Sequence, residues 1–182
     1  MVRAFIAIRC PDELKKGLSE AQKKIAPFGD MKLVEPANLH MTLKFLGDVA
    51  DAKVDAVIDA LKPISEKQRF VMSLHGIGVF PNPAYVRVVW AGVDEGARET
   101  EHLSREIDDR LHTLGFPRDE RFHPHFTLAR VRAVDKEKMN KFLATYAAGE
   151  FGSFTVSSVD LMESRLSPKG PAYSILKDFK LV

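Results

Sequence analysis

The sequence predicts an α+β protein built as two similar lobes, and three observations carry that prediction. Hydrophobic periodicity assigns the order helix, strand, helix, strand, strand, and the order occurs twice. In each copy the first strand carries His-x-Thr, at His40 and Thr42 and again at His125 and Thr127. The offset between copies hardly changes: helices begin near 11 and 95, the histidines fall at 40 and 125, and the next helices begin near 51 and 136. Two equivalent lobes related by an approximate two-fold axis, with the His/Thr strands facing each other across a cleft, satisfy all three. Residue identity between the copies is low, so the repeat lies in the pattern of elements. It spans about 11–93 and 95–179 within one domain of 182 residues, long enough to bury a real core.

Arg3-Ala4-Phe5-Ile6-Ala7-Ile8 forms an opening strand, with Val2, Ala4, Ile6 and Ile8 on one face and Arg3, Phe5 and Ala7 on the other. It lies outside the repeat and has to join one of the lobes. Pro11 stands where a first helical residue belongs, and Leu14, Leu18, Ala21 and Ile25 give that helix an apolar stripe until Pro27 and Gly29 stop it. A loop leads to the first His/Thr strand, about 40–46, closed by Gly47. Alternation there sets His40 and Thr42 on one face and Met41, Leu43 and Phe45 on the other. Asp51 opens a helix striped by Val54, Val57, Ile58 and Leu61 and ended by Pro63. Strands Phe70–Phe80 and Tyr85–Val93 follow, joined by the turn Pro81-Asn82-Pro83.

The second copy begins with a helix near 95–114, striped by Leu103, Ile107, Leu111 and Leu114, with Gly115 at its C-cap. In the second His/Thr strand His125 and Thr127 share a face, while Phe126 and Leu128 form the other. Asp135 opens a helix near 136–147 with Met139, Phe142, Leu143 and Tyr146 inward. Strands at about 153–162 and 172–179 close the chain, with turn composition at Ser167-Pro168-Lys169-Gly170-Pro171 between them.

Composition narrows the classes of function. A net charge of +2 spreads no basic field over the whole molecule, so an anionic ligand has to meet a local patch. The single cysteine, Cys10, forms no internal disulfide and excludes a cysteine-rich zinc site. No stretch has the length or flanks of a signal peptide or membrane span, which gives the expectation of a soluble, cytoplasmic protein. No Gly-x-x-x-x-Gly-Lys-Ser/Thr loop is present for a nucleotide phosphate.

Two opposed imidazoles suit a reaction in which one group gains a proton as another loses one, since an ordinary pKa of ~6.5 lets histidine act as base or acid. Threonine hydroxyls can hydrogen-bond non-bridging oxygens, and an arginine can offset growing negative charge. In-line displacement at a phosphodiester calls for this set. The residues His40-Met41-Thr42-Leu43 and His125-Phe126-Thr127-Leu128 resemble the paired motifs of the 2H phosphoesterase superfamily. With Arg3–Ile8, His40–Gly47, Arg87–Gly92, Pro124–Arg130 and Leu166–Pro171, the chain is similar throughout to the LigT/ThpR branch, the RNA 2′,3′-cyclic phosphodiesterases also called 2′-5′ RNA ligases.

The resemblance implies a two-lobed α+β fold, each lobe an antiparallel sheet with helices on its outer face. It implies hydrolysis of a terminal 2′,3′-cyclic phosphate to a 2′-phosphate with no metal and no cofactor. His40 would be the acid that protonates the departing 3′ oxygen and His125 the base that activates water. Thr42 and Thr127 would hold the phosphate, Arg130 would contact the sugar-phosphate, and Phe5 would stack on the terminal base. Strict alternation puts Arg130 on the face opposite His125, so its role requires a bulge or a side chain that curls around the strand end. The partner would be RNA ending in a cyclic phosphate, tRNA fragments among the candidates, and the protein a monomer.

Three other readings stand beside this one: ligation of a cyclic-phosphate end to a 5′-hydroxyl end in the same site, a non-catalytic RNA-end-binding module, and a metal-dependent hydrolase using His123 and His125, which lie two apart on one strand face.

Overall fold

The computed structural model describes residues 1–119, 121–167 and 170–182. Its elements are β1 (Val2–Arg9), α1 (Asp12–Ile25), β2 (Gly29–Leu33), β3 (His40–Val49), α2 (Asp51–Leu61), β4 (Phe70–Asn82), β5 (Tyr85–Val93), α3 (Ala97–His112), β6 (His125–Val134), α4 (Lys136–Tyr146), β7 (Glu150–Val156), β8 (Ser158–Ser167) and β9 (Gly170–Lys180). The helices follow their apolar stripes. Leu14, Leu18, Ala21 and Ile25 are buried in α1, and Leu103, Ile107 and Leu111 in α3. Asp135 caps α4 by accepting a hydrogen bond from the Lys138 backbone N–H at 3.1 Å.

The strands form two antiparallel sheets, ordered β3-β1-β8-β9 and β2-β6-β5-β4-β7. α3, with α2 against it, packs on the first sheet, and α1 and α4 pack on the second. The first and second sequence halves are not the two sheets. β4 and β5 come from the first half yet belong to the sheet of β6, with β5 beside it, while β8 and β9 come from the second half yet belong to the sheet of β1, with β8 beside it. The helices exchange in the same way, α1 onto β6 and β7 and α3 onto β3. The spatial correspondence begins one strand earlier than the periodicity suggests. β1-α1-β3-α2 matches β5-α3-β6-α4, with β1 beside β3 as β5 is beside β6. Periodicity reports which residues face a core and says nothing about which strand lies alongside, so the exchange leaves no mark on it.

Two further differences are local. The loop expected after α1 contains β2, a short polar strand that pairs with β6 from Gly29↔Val134 to Leu33↔Ala129. The first closing strand is two, β7 and β8, which break at Ser157 and belong to different sheets. Of the turn expected at 167–171, Pro168 and Lys169 lie outside the described residues.

Both His/Thr strands are bulged at equivalent places. On β3, Ala7 pairs with Thr42 and Ile6 with Lys44, so Leu43 is the extra residue. On β6, Trp90 pairs with Thr127 and Val89 with Ala129, so Leu128 is extra. A bulge turns two successive residues to one side, and Leu43 with Lys44, like Leu128 with Ala129, is buried. A buried side chain from a helix stabilises each extra carbonyl: Ser104 Oγ donates to Leu43 O at 3.1 Å and Gln22 Nε2 to Leu128 O at 2.8 Å. The bulge corrects the expected position of Phe45. It does not join Met41 and Leu43 inside but emerges beside Thr42, 66% exposed.

Lys44 takes the inward place. It is 2% exposed, and its ammonium donates to Asp108 Oδ1 of α3 at 2.5 Å, to Pro117 O at 2.8 Å and to Asp119 Oδ2 at 3.3 Å. All three of its protons are thereby satisfied, as a buried ammonium requires. Burial alone would raise the Asp108 carboxyl, but the Lys44 ammonium and the Asp119 backbone N–H hold it below the usual carboxylate range. One strand of the first sheet is thus tied to the segment that leads into β6.

Candidate active site

β3 and β6 lie against each other across the junction of the sheets, which brings the two His-x-Thr pairs together from opposite sides. The two imidazoles are pinned in the same way. His40 Nδ1 bonds the Asn38 carbonyl at 2.7 Å, and His125 Nδ1 bonds the His123 carbonyl at 2.7 Å. A carbonyl can only accept, so each Nδ1 carries the proton and each Nε2 is left for chemistry. His40 Nε2 stands 3.1 Å from Thr42 Oγ1, where the hydroxyl can donate to it until a phosphate oxygen claims that proton.

Burial pushes the His40 imidazole below its ordinary value. The Asn38 carbonyl opposes the shift, and the charges of Arg130 and His125 reinforce it. Burial also lowers His125; the His123 carbonyl opposes this, and the charges of His123 and Arg130 add to it. Arg130 therefore acts on both imidazoles. The Leu128 bulge explains how, because with Leu128 and Ala129 both inward Arg130 returns to the Thr127 face, exposed. Of the two routes to that face, a bulge or a side chain curled around the strand end, the strand has the bulge.

Phe5 is placed differently from expectation. Only 3% of it is exposed, with its ring 5.0 Å from His40, 5.1 Å from Tyr173 and 6.1 Å from Phe45. A ring enclosed in this way has no free face for a base. Phe5 serves instead as the floor under His40, and Tyr173 closes its edge at 5.2 Å. His125 has a counterpart in Phe80, 5.0 Å away, and in Trp90 at 6.2 Å. Trp90, the single tryptophan, lies flat over Gly78, where a Cβ would overlap the indole.

Sequence reasoning missed Tyr173, Phe80 and Trp90, along with the two bulge-holding side chains. For Gln22 and Ser104 a signal existed: each is a polar residue on its helix's apolar stripe. Nothing local marks Tyr173, which reaches His40 from β9. His123 and His125 have ring centroids 6.3 Å apart. Among the described residues, no three His, Cys, Asp or Glu side chains come together as a metal site would require. No helix among them is long and apolar enough to cross a membrane.

Mirrored histidine–threonine pairs, one from each sheet of a two-lobed α+β fold, define a two-histidine phosphoesterase. Comparison with known proteins leads to the same class. A family model described as LigT-like phosphoesterase matches residues 8–90 and 92–173, and the chain belongs to that family. It is 34% identical over 182 residues to a Methanocaldococcus jannaschii protein named RNA 2′,3′-cyclic phosphodiesterase, covering 98% of this chain and 100% of the relative. An Aeropyrum pernix protein of the same name is 39% identical over 166 residues, covering 90% and 94%. Among solved structures, TT0787 of Thermus thermophilus superposes with a TM-score of 0.82 at 31% identity, covering 98% and 97%. LigT of E. coli complexed with 3′-AMP gives 0.81 at 26%, covering 100% and 98%.

Proposed function

We propose that this protein is an RNA 2′,3′-cyclic phosphodiesterase that opens the cyclic phosphate to a 2′-phosphate. The observation that carries the reading is the pair of pinned imidazoles, each with Nδ1 held by a carbonyl two residues back, which leaves Nε2 as the nitrogen available for proton transfer. His125 Nε2 takes a proton from water as its oxygen forms the new bond to phosphorus. The P–O3′ bond breaks on the opposite side, and protonated His40 delivers its Nε2 proton to that oxygen. Thr42 and Thr127 donate to the non-bridging oxygens, and Arg130 offsets the charge that builds on them. Its relatives' shared name, RNA 2′,3′-cyclic phosphodiesterase, supports the substrate class. RNA ends such as those of tRNA fragments fit this chemistry, handled by a monomeric cytoplasmic enzyme.

Incubation with a nucleoside 2′,3′-cyclic phosphate in the presence of EDTA should give the 2′-phosphate alone, at a rate unchanged by the chelator. A 3′-phosphate product would mean that the P–O2′ bond breaks instead and would overturn the assignment of O3′ as the leaving oxygen, and loss of turnover in EDTA would point to a metal-dependent hydrolase.

The lowered imidazoles set the pH profile. The productive state has His40 protonated and His125 neutral. Both groups titrate below 6.5 in the free enzyme, so kcat/KM should peak on the acidic side of that value. It falls above the peak as His40 loses its proton and below it as His125 gains one. Arg130→Met removes a cation that depresses both groups. Its profile should move to higher pH while kcat/KM at the peak drops about a hundredfold.

A further inference from the structure

Resting on this reading, we infer that Phe45 forms a second base-binding site, which takes the nucleobase of the residue preceding the cyclic-phosphate end. Phe45 is 66% exposed, an unusual state for a phenylalanine beside a polar reaction centre. The Leu43 bulge puts it on the cleft side with Thr42, and it occupies on β3 the place that Arg130 holds on β6. The matching registers are Phe5↔Phe45 and Val88↔Arg130.

Its neighbours make the surface a ledge. Across the sheet on the same row lie Phe5, Met162 and Ile175. The inner two are buried and form the support, while Ile175 is 44% exposed at the far end. A flat apolar ledge in a cleft that carries Arg130, with exposed Arg3 also on the Phe5 side of β1, matches a nucleotide strand: cations for its phosphates, a ring for its base.

Position decides which base. The terminal ribose is fused to the cyclic phosphate, so its nucleoside must sit beside the two threonines. Phe45 lies past that place. Phe5 intervenes between it and His40, and three residue steps along the bulged strand separate it from Thr42, roughly 7–10 Å. That is the reach of the next nucleotide.

The experiment compares kcat/KM for a mononucleoside 2′,3′-cyclic phosphate and for a dinucleotide ending in one, with native protein, Phe45→Ala and Phe45→Leu. Stacking on one ring is expected to favour the dinucleotide by about five- to a hundredfold in the native protein. Phe45→Ala should bring that ratio close to one, and Phe45→Leu should restore only part of it. A dinucleotide abasic at the first position should lose the advantage with native protein. A native ratio near one, or a ratio that survives in Phe45→Ala, overturns the site. Affinities of mono- and dinucleotides ending in a 2′-phosphate, followed by Trp90 fluorescence, read the same contact without turnover. A protein that hydrolyses neither substrate but binds the dinucleotide through Phe45 would refute the hydrolase reading and leave this one standing.

Discussion

Replacing either histidine should nearly abolish turnover, but the two losses should differ in kind. His40→Ala and His125→Ala are each expected to lower kcat by roughly 10²–10⁴-fold, and the double variant to lose far less than the product of the two, because acid and base act in one step. Both imidazoles are held by backbone carbonyls and neither anchors the core, so folding should persist. A cyclic phosphate with sulfur in place of O3′ separates the roles. A departing thiolate, with a thiol pKa near ~8.5, needs little help from an acid. Such a substrate should recover most of the His40→Ala loss and none of the His125→Ala loss. Recovery in His125→Ala alone would reverse the assignment of acid and base, and equal recovery would overturn the separation of their roles.

The largest stability effect should come from a residue that touches no substrate. Lys44→Met keeps most of the side chain's volume but leaves Asp108 facing the interior with only the Asp119 backbone N–H at 3.2 Å and the Arg118 guanidinium at 3.3 Å. Removing one partner of a buried pair costs about 3–5 kcal/mol, and those remaining contacts favour the lower end. Urea unfolding at neutral pH should show a matching fall in midpoint with little change in slope. Adding Asp108→Asn removes the stranded charge and should recover over half of the loss. Asp108 titrates below its ordinary value, so the wild-type advantage should be complete at neutral pH and disappear as the pH falls through the depressed carboxylate range. A Lys44→Met loss that is equal at pH 7 and pH 3 would mean that packing, and not charge, dominates.

How much of this site was legible depends on the distance over which each feature is encoded. His40, Thr42, His125 and Thr127 follow from alternation within four residues, and the structure sets each pair as alternation requires. Phe45 and Arg130 were harder because one extra residue reverses every side chain beyond it. For Arg130 the chemistry demanded either a bulge or a side chain curled around the strand end. For Phe45 nothing did, and the strand read as uninterrupted. Lys44 gave no sign of it, because under strict alternation its charge falls on the polar His40/Thr42 face, and nothing nearby shows that it belongs inside with Asp108. Phe5 reads as a cleft residue, as it is, but its burial depends on Tyr173, more than 160 residues away. β2, polar and five residues long, has too few apolar positions to show a period. Strand neighbours are the least legible of all, since any of several open edges could have accepted β5 or β8.

That exchange of strands between the halves bears on how the chain reaches its native state. When residues through Val93 have left the ribosome, β1 and β3 can pair, and so can β4 and β5. Yet β1 keeps one bare edge until β8 is made, and β5 keeps one until β6 is made. Bare edges are where chains join wrongly, and contacts this distant in sequence form slowly. Synthesis of the second half is therefore a vulnerable interval, closed only when its strands cap both edges.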